Sequence, residues 1–297
     1  MTTFWRCLAV CLFALPAFAD DSAHPLTLWE VQGQNNSVFL LGSVHLLREQ
    51  DYPLASTIDA AYAEAEVLVM ELDMDDLDPF KTQALLNELG VLKGDETLRD
   101  VMGEDLYQQA RVAAEAIDIP LDMLAKTEPW YAAMTVELLA LSRIGFDPSL
   151  GVEMYMLGKA TADNKRIDGL ETMEQQLGFL DGMSLQAQRE MLLSTLEESA
   201  GIEALMDEVL VAWHHGDIET LASSMLEEMS RNEELNKALL VDRNANWVAS
   251  IRQLLDDSDD YLVVVGALHL IGPLGVPRQL QGLGYDVQQL SEPPTVR

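Results

Sequence analysis

The chain has 297 residues, is 48% hydrophobic, and carries 18 Lys and Arg against 50 Asp and Glu, a formal charge of −32. A chain this long buries enough apolar surface to fold without disulfides or a structural metal. So negative a surface repels phosphate backbones, which excludes nucleic acid as a partner, and argues against membrane binding through a basic patch.

In chain order, the first segment reads as an address. Arg6, an apolar run over 7–15 and Ala17-Phe18-Ala19 form a cleavable secretory signal over residues 1–19, cut between Ala19 and Asp20. The run is too short to span a bilayer and meets Asp20 and Asp21. Cys11 does not read as a lipid-attachment site, because Val10 stands where a small residue is expected. Cys7 and Cys11 both leave with this segment, so residues 20–297 have no thiol for a disulfide, a metal or a nucleophile. A periplasmic or secreted protein is expected, with no integral membrane segment after cleavage.

Apolar runs at 37–41, 67–70, 166–170 and 261–265 have the character of strands covered on both faces, and 285–290 adds another after a Gly-x-Gly turn. Residues 28–31 pair with 37–41 as a hairpin across 33–36. The Ala-rich stretch 53–66 has crossover length, making the strands it joins parallel. Residues 80–160 hold several helices broken at Gly90, Gly94, Pro120, Pro129, Gly145 and Pro148. Residues 184–256 are mostly helical, with Leu185, Leu192 and Leu196 on one face. The predicted fold is α/β: one domain over 20–297, with a central, mostly parallel or mixed sheet and a large helical insertion over roughly 80–256.

Two strands end alike, in Gly42-Ser-Val-His45-Leu and Gly266-Ala-Leu-His269-Leu. Ligands of open α/β sheets bind beyond the carboxyl ends of the strands. A glycine there lets the backbone turn sharply, and a histidine three residues on sits over the sheet edge. Two such loops present two imidazoles to one point. Glu71 is the first polar residue at the end of the 67–70 strand, and Glu171 repeats that placement. His45, His269 and Glu71 therefore suit a zinc or manganese site with open positions for water, or a water-activating set. Arg243 could bind a substrate carboxylate or polarise a carbonyl, or it could pair with an acid.

These residues resemble the TraB/GumN family, which includes the Tiki metalloproteases and the pheromone-shutdown TraB proteins. The resemblance spans 28–290. It rests on Gly42-x-x-His45, Glu71-Leu-Asp, Gly151-Val-Glu153, Gly169-Leu-Glu-Thr172, Trp213-x-x-Gly216-Asp217, Arg243-Asn244-x-x-Trp247 and Gly266-x-x-His269-Leu-x-Gly272. Ser43 departs from the pattern where Thr is expected, and both supply a hydroxyl. The resemblance implies that the paired Gly-x-x-His motifs and a glutamate form the active site, and that Tiki-like members are divalent-metal-dependent peptidases.

The expected catalytic residues are His45, Glu71, His269 and Arg243. Gly42, Ser43, Asn244, Gly266 and Glu171 are expected to contact a peptide or small-molecule substrate. Manganese, cobalt or zinc is the expected cofactor, on His45, Glu71 and His269. The competing reading is a non-catalytic protein that sequesters a peptide, haem or metal. Several features are given ordinary roles. Glu153 reads as a solvated or salt-bridged helical residue, His214-His215 as surface, His24 as tail, Asp73 to Asp78 as an acidic loop, and most methionines as core filler. The phosphate-binding glycine loops of nucleotide sites and the Gly-x-Ser-x-Gly elbow of serine esterases are absent from the sequence.

Overall fold

The computed structural model describes residues 24–226, 229 and 232–293. The expected signal segment, its cleavage site and both cysteines lie outside the described residues.

Six strands form one mixed sheet in the order β4-β3-β5-β2-β1-β6. They are β1 His24–Gln32, β2 Ser37–Ser43, β3 Val67–Leu72, β4 Arg166–Glu171, β5 Tyr261–Gly266 and β6 Val287–Glu292. Strands β2, β5, β3 and β4 run parallel, and β1 is antiparallel to both β2 and β6. Every residue of β2 and β5 is buried, as unbroken apolar runs require of strands covered on both faces. The expected hairpin is present, with Leu28 opposite Leu41 and Gln32 opposite Ser37.

One sequence expectation, that His24 lies in a tail, changes: His24 begins β1, opposite Glu292 of β6. Strands β2 and β3 are parallel through the Ser56–Glu64 helix, yet they are not neighbours: β5 lies between them. Leu185 is 39% exposed while Leu192 and Leu196 are buried: it shares their face but stands at the first position of the helix, Leu185–Glu198.

Helices fill most of the chain between β3 and β5, and β4 returns from among them to the sheet edge. Two apolar clusters lie beyond the sheet core. One joins Leu98, Met102 and Tyr107 to Ala132, Val136, Leu192 and Leu196. The other holds Trp130, Leu177, Leu180 and Met183. This helical layer sits over the carboxyl ends of the parallel strands, where β2, β3, β4 and β5 deliver Ser43, Glu71, Glu171 and Gly266.

Candidate active site

Register brings the two Gly-x-x-His loops side by side: Gly42 lies opposite Val265 and Ser43 opposite Gly266 on adjacent parallel strands. Trp213 Nε1 donates to the Gly42 carbonyl at 2.7 Å, which fixes the end of β2 to the helix Ile202–His214. A Cβ at Gly42 would stand 2.5 Å from Thr27 Cγ2 and 3.1 Å from Ala267 Cα, so only glycine fits between β1 and the loop after β5.

Glu71 reaches across β5. Its Oε1 accepts from Gly266 N at 2.8 Å, and its Oε2 accepts from Arg243 Nη2 at 2.6 Å and Gln176 Nε2 at 3.1 Å. The position a Cβ on Gly266 would take marks the centre of the site. It lies 3.4 Å from Glu71 Oε1, 3.5 Å from His45 Nε2 and 3.6 Å from His269 Cδ2. The two histidines and the glutamate expected from the sequence thus converge on one point.

The two imidazoles differ in environment. His45 is 62% exposed at the side chain, and its Nδ1 donates to Glu153 Oε1 at 2.7 Å. Ser43 Oγ donates to the same oxygen. Glu153 pushes His45 up to about 9, against a burial effect that works the other way, with Glu71 and Glu137 adding to the rise. Solvent at the open face of the ring screens part of that pull. His45 is therefore an imidazolium at neutral pH.

His269 is 5% exposed. Its Nδ1 lies 2.6 Å from Asn244 Oδ1. Asn244 Nδ2 donates to the Leu274 carbonyl, which orients the amide so that Oδ1 can only accept. Nδ1 consequently carries the proton, and Nε2 accepts from Arg243 Nη1 at 3.2 Å. Burial, with Arg243 alongside, pushes His269 down to about 3, so the ring is neutral. Trp247 packs on it with centroids 4.2 Å apart.

Burial opposes the charge on Glu71, yet its carboxyl is held down at about 2. Because His269 is neutral near pH 7, permanently charged Arg243, imidazolium His45 and the Gly266 N–H carry that effect there. Glu171, 5% exposed at the side chain, accepts from Arg243 Nε and Nη2 and from Trp247 Nε1. Arg243 Nη1 donates also to the Leu239 carbonyl at 3.4 Å. All five N–H groups of this guanidinium have acceptors, so in this arrangement it positions Glu71, Glu171 and His269 rather than offering a donor to a substrate oxygen.

A cleft of about 480 Å³ opens over His45 and Glu71. Met70, Leu72, Met74, Pro148 and Met154 form its apolar walls, and Glu153 and Gln176 contribute polar groups. Ser43, Asn244, Gly266 and Glu171, expected as substrate contacts, lie beneath it and organise the residues that face it; Gly42 does so through its carbonyl. Met154 is 40% exposed at the cleft and Met156 is fully buried, so methionines serve both as wall and as filler.

Sequence reasoning did not single out Gln176 and gave Glu153 and Trp247 no part in the site, although both stand in the motifs of the resemblance and Glu153 is salt-bridged, one of its two expected roles. Glu153 owes its place to a close backbone approach. A Cβ at Gly151 would stand 2.1 Å from the His45 carbonyl oxygen, and Val152 N donates to the Val44 carbonyl at 3.1 Å. Gly151 thus lets the first turn of the helix Val152–Asp163 press against the His45 loop and aim Glu153 at it. Of the features given ordinary roles, Asp78 caps the helix Pro79–Leu89. His214 packs edge-on against Trp213 with centroids 4.8 Å apart, and His215 packs near His24 at 5.2 Å.

The residues proposed for a divalent metal do not fit one as they stand. The Nε2 lone pair of His269 and the Oε2 of Glu71 are both directed at Arg243, leaving only His45 Nε2 and Glu71 Oε1 facing the common point.

The family model described as the TraB/PrgY/gumN family matches residues 27–289. The chain is 23% identical over 260 residues to the uncharacterized protein YbaP of Escherichia coli (strain K12), covering 83% of this chain and 89% of the relative. The YbaP of Shigella flexneri matches to the same extent. An uncharacterized protein of Treponema pallidum (strain Nichols) is 20% identical over 174 residues, 59% of this chain and 51% of that one. No solved structure matches the chain.

Proposed function

The chain belongs to the TraB/PrgY/gumN family, and from that premise we propose that it is a hydrolase of peptide-like substrates. One observation carries the reading: His45 Nε2 and Glu71 Oε1, of opposite charge, lie 3.5 and 3.4 Å from the position a Cβ on Gly266 would take, and both residues line the apolar cleft. A water held between them meets a carboxylate on one side and an imidazolium N–H on the other. The water oxygen attacks the scissile carbonyl carbon while Glu71 takes its proton. His45 Nε2–H stabilises the oxyanion and then protonates the leaving nitrogen as the C–N bond breaks. The proton on Glu71 returns through solvent to His45, restoring the starting state. Glu153 keeps His45 charged and oriented, as a carboxylate behind a catalytic imidazole does. The methionine walls suit an apolar side chain of variable shape. No step is routed through a metal.

Export is part of the proposal, through residues 1–19. Among the described residues no helix is long and apolar enough to cross a membrane. N-terminal sequencing of the exported chain should begin at Asp20, and a chain that begins at Met1 refutes this part.

The test is turnover by purified protein on a peptide library, with and without chelator or added manganese, zinc or cobalt. Cleavage lost in Glu71→Gln and in His45→Ala supports the reading. Binding of a peptide or haem with no cleavage under any condition overturns it in favour of a sequestering protein.

A further inference from the structure

Arg243 sits at the focus of a metal-like donor set. Its Nη2 is 2.6 Å from Glu71 Oε2 and 2.9 Å from Glu171 Oε2, and its Nη1 is 3.2 Å from His269 Nε2. Two carboxylates and an imidazole lone pair are what a divalent transition ion takes as ligands. Here they are turned toward a guanidinium. The charge is well enclosed: the Arg243 side chain is 9% exposed, and the Trp247 ring lies 4.7 Å from Cζ. Trp247 Nε1 also holds the far oxygen of Glu171 at 2.9 Å, and Asn244 fixes the His269 tautomer so that Nε2 keeps its lone pair. An ion bonded to Glu71 Oε2 and His269 Nε2 needs both at about 2 Å. That places two cations against each other in a site from which solvent is largely excluded, and like charges are screened little there.

We propose that Arg243 is the resident cation of this centre: its guanidinium takes the place a divalent metal would fill, and Glu71, Glu171 and His269 bind such a metal only when that guanidinium is removed. The inference holds whether or not a peptide is cleaved, because its readout is metal content.

The experiment incubates the purified full chain with manganese, and separately with zinc. Free ion is removed and bound metal per chain is counted by elemental analysis. Wild type is expected to hold no more metal than Glu71→Gln. Arg243→Ala, which opens the space and leaves two carboxylates uncompensated, is expected to gain about one ion per chain. It should bind at least tenfold tighter than wild type, and Arg243→Ala with His269→Ala should lose the gain. Arg243→Lys keeps a positive charge and should gain none. If Arg243→Ala does not fold by circular dichroism, the comparison of wild type with Glu71→Gln and Arg243→Lys still decides. About one ion per wild-type chain that disappears in Glu71→Gln overturns the proposal. So does a folded Arg243→Ala that gains no ion.

Discussion

Glu153 Oε1 lies 2.7 Å from His45 Nδ1, a bond that joins the loop after β2 to the start of a helix 108 residues later. The same oxygen receives the Ser43 hydroxyl. Burial raises the pKa of Glu153, but His45 and Ser43 together bring it below the usual carboxylate range. The two residues thus hold each other charged. His45 presents its other nitrogen to Glu71, and the pair links one wall of the cleft to its floor.

Glu153→Gln tests that link directly. The amide cannot supply the negative charge that raises His45, so the His45 titration should fall from about 9 toward the ordinary 6.5. Glu71 and Glu137 remain to hold part of the rise. NMR titration of the imidazole protons reads this. Because the folded pKa is raised, the stability it contributes is complete below pH 6.5 and is lost as pH rises through about 9. With 62% of the His45 side chain exposed, that contribution is small. Peptide cleavage, where present, should decline above pH 9 in wild type, as the acid is lost, and decline from a lower pH in the variant. An unshifted His45 titration in Glu153→Gln refutes the assignment.

For Glu71 the sign is opposite. Its carboxyl falls from 4.5 to about 2 on folding, so the stability it contributes is complete above pH 4.5 and is lost as pH drops through 2. A shift of this size corresponds to roughly 3 kcal/mol, a ceiling at pH 7, where neutral His269 no longer helps to lower the Glu71 carboxyl. Urea unfolding at pH 7, 4 and 3 should show Glu71→Gln less stable than wild type at pH 7 by up to that amount, with the gap narrowing at each lower pH. Cleavage should drop in the variant, because the attacking water loses its proton acceptor. A stability gap that stays constant from pH 7 to 3 contradicts the ion-pair network around Arg243.

The sequence and the structure agree where the signal is local. Strands β2 and β5 are apolar runs because both faces are covered, and their shared Gly-x-x-His endings become neighbours through register. Glu71 was legible as the first polar residue beyond β3. Strand order was not: nothing in 261–265 says that it inserts between β2 and β3 rather than joining an edge. Glu153 was obscured by its setting, since a carboxylate in the first turn of a helix needs no further explanation than the helix dipole. Its partner comes from tertiary packing alone. Gln176 left no signal, because a Gln in the first turns of a helix is commonplace. The role of Arg243 was visible only as alternatives; in the structure all five of its donors meet acceptors, Glu71 and Glu171 among them.

A control separates this site from the other histidines. His214 and His215 pack with Trp213 and His24, and neither lines the cleft over His45. The double change His214→Ala, His215→Ala should leave cleavage and the His45 titration unchanged. A tenfold loss of cleavage without unfolding ties that end of the molecule to the reaction and breaks the assignment.

Gly151→Ala addresses how the helix Val152–Asp163 places Glu153. Gly151 has φ of −59°, a conformation alanine adopts freely, so backbone strain is not at issue. Space is. The added Cβ would stand 2.1 Å from the His45 carbonyl oxygen and 2.7 Å from its carbonyl carbon. Those are backbone atoms and cannot swing aside. The first turn of the helix must back away, stretching the 3.1 Å bond from Val152 N to the Val44 carbonyl and drawing Glu153 off His45 and Ser43. The His45 titration should therefore fall from about 9 toward 6.5 as it does in Glu153→Gln, and cleavage should drop by about 10². Gly158→Ala on the same helix is the matched control. Its Cβ would meet nothing within 4 Å, and alanine favours a helix interior by about 0.5–1 kcal/mol over glycine. That variant should melt at the same temperature or higher with His45 unaffected. If Gly151→Ala folds and His45 still titrates as in wild type, the close approach of helix and loop does not position Glu153, and the dyad must be held by Ser43 alone.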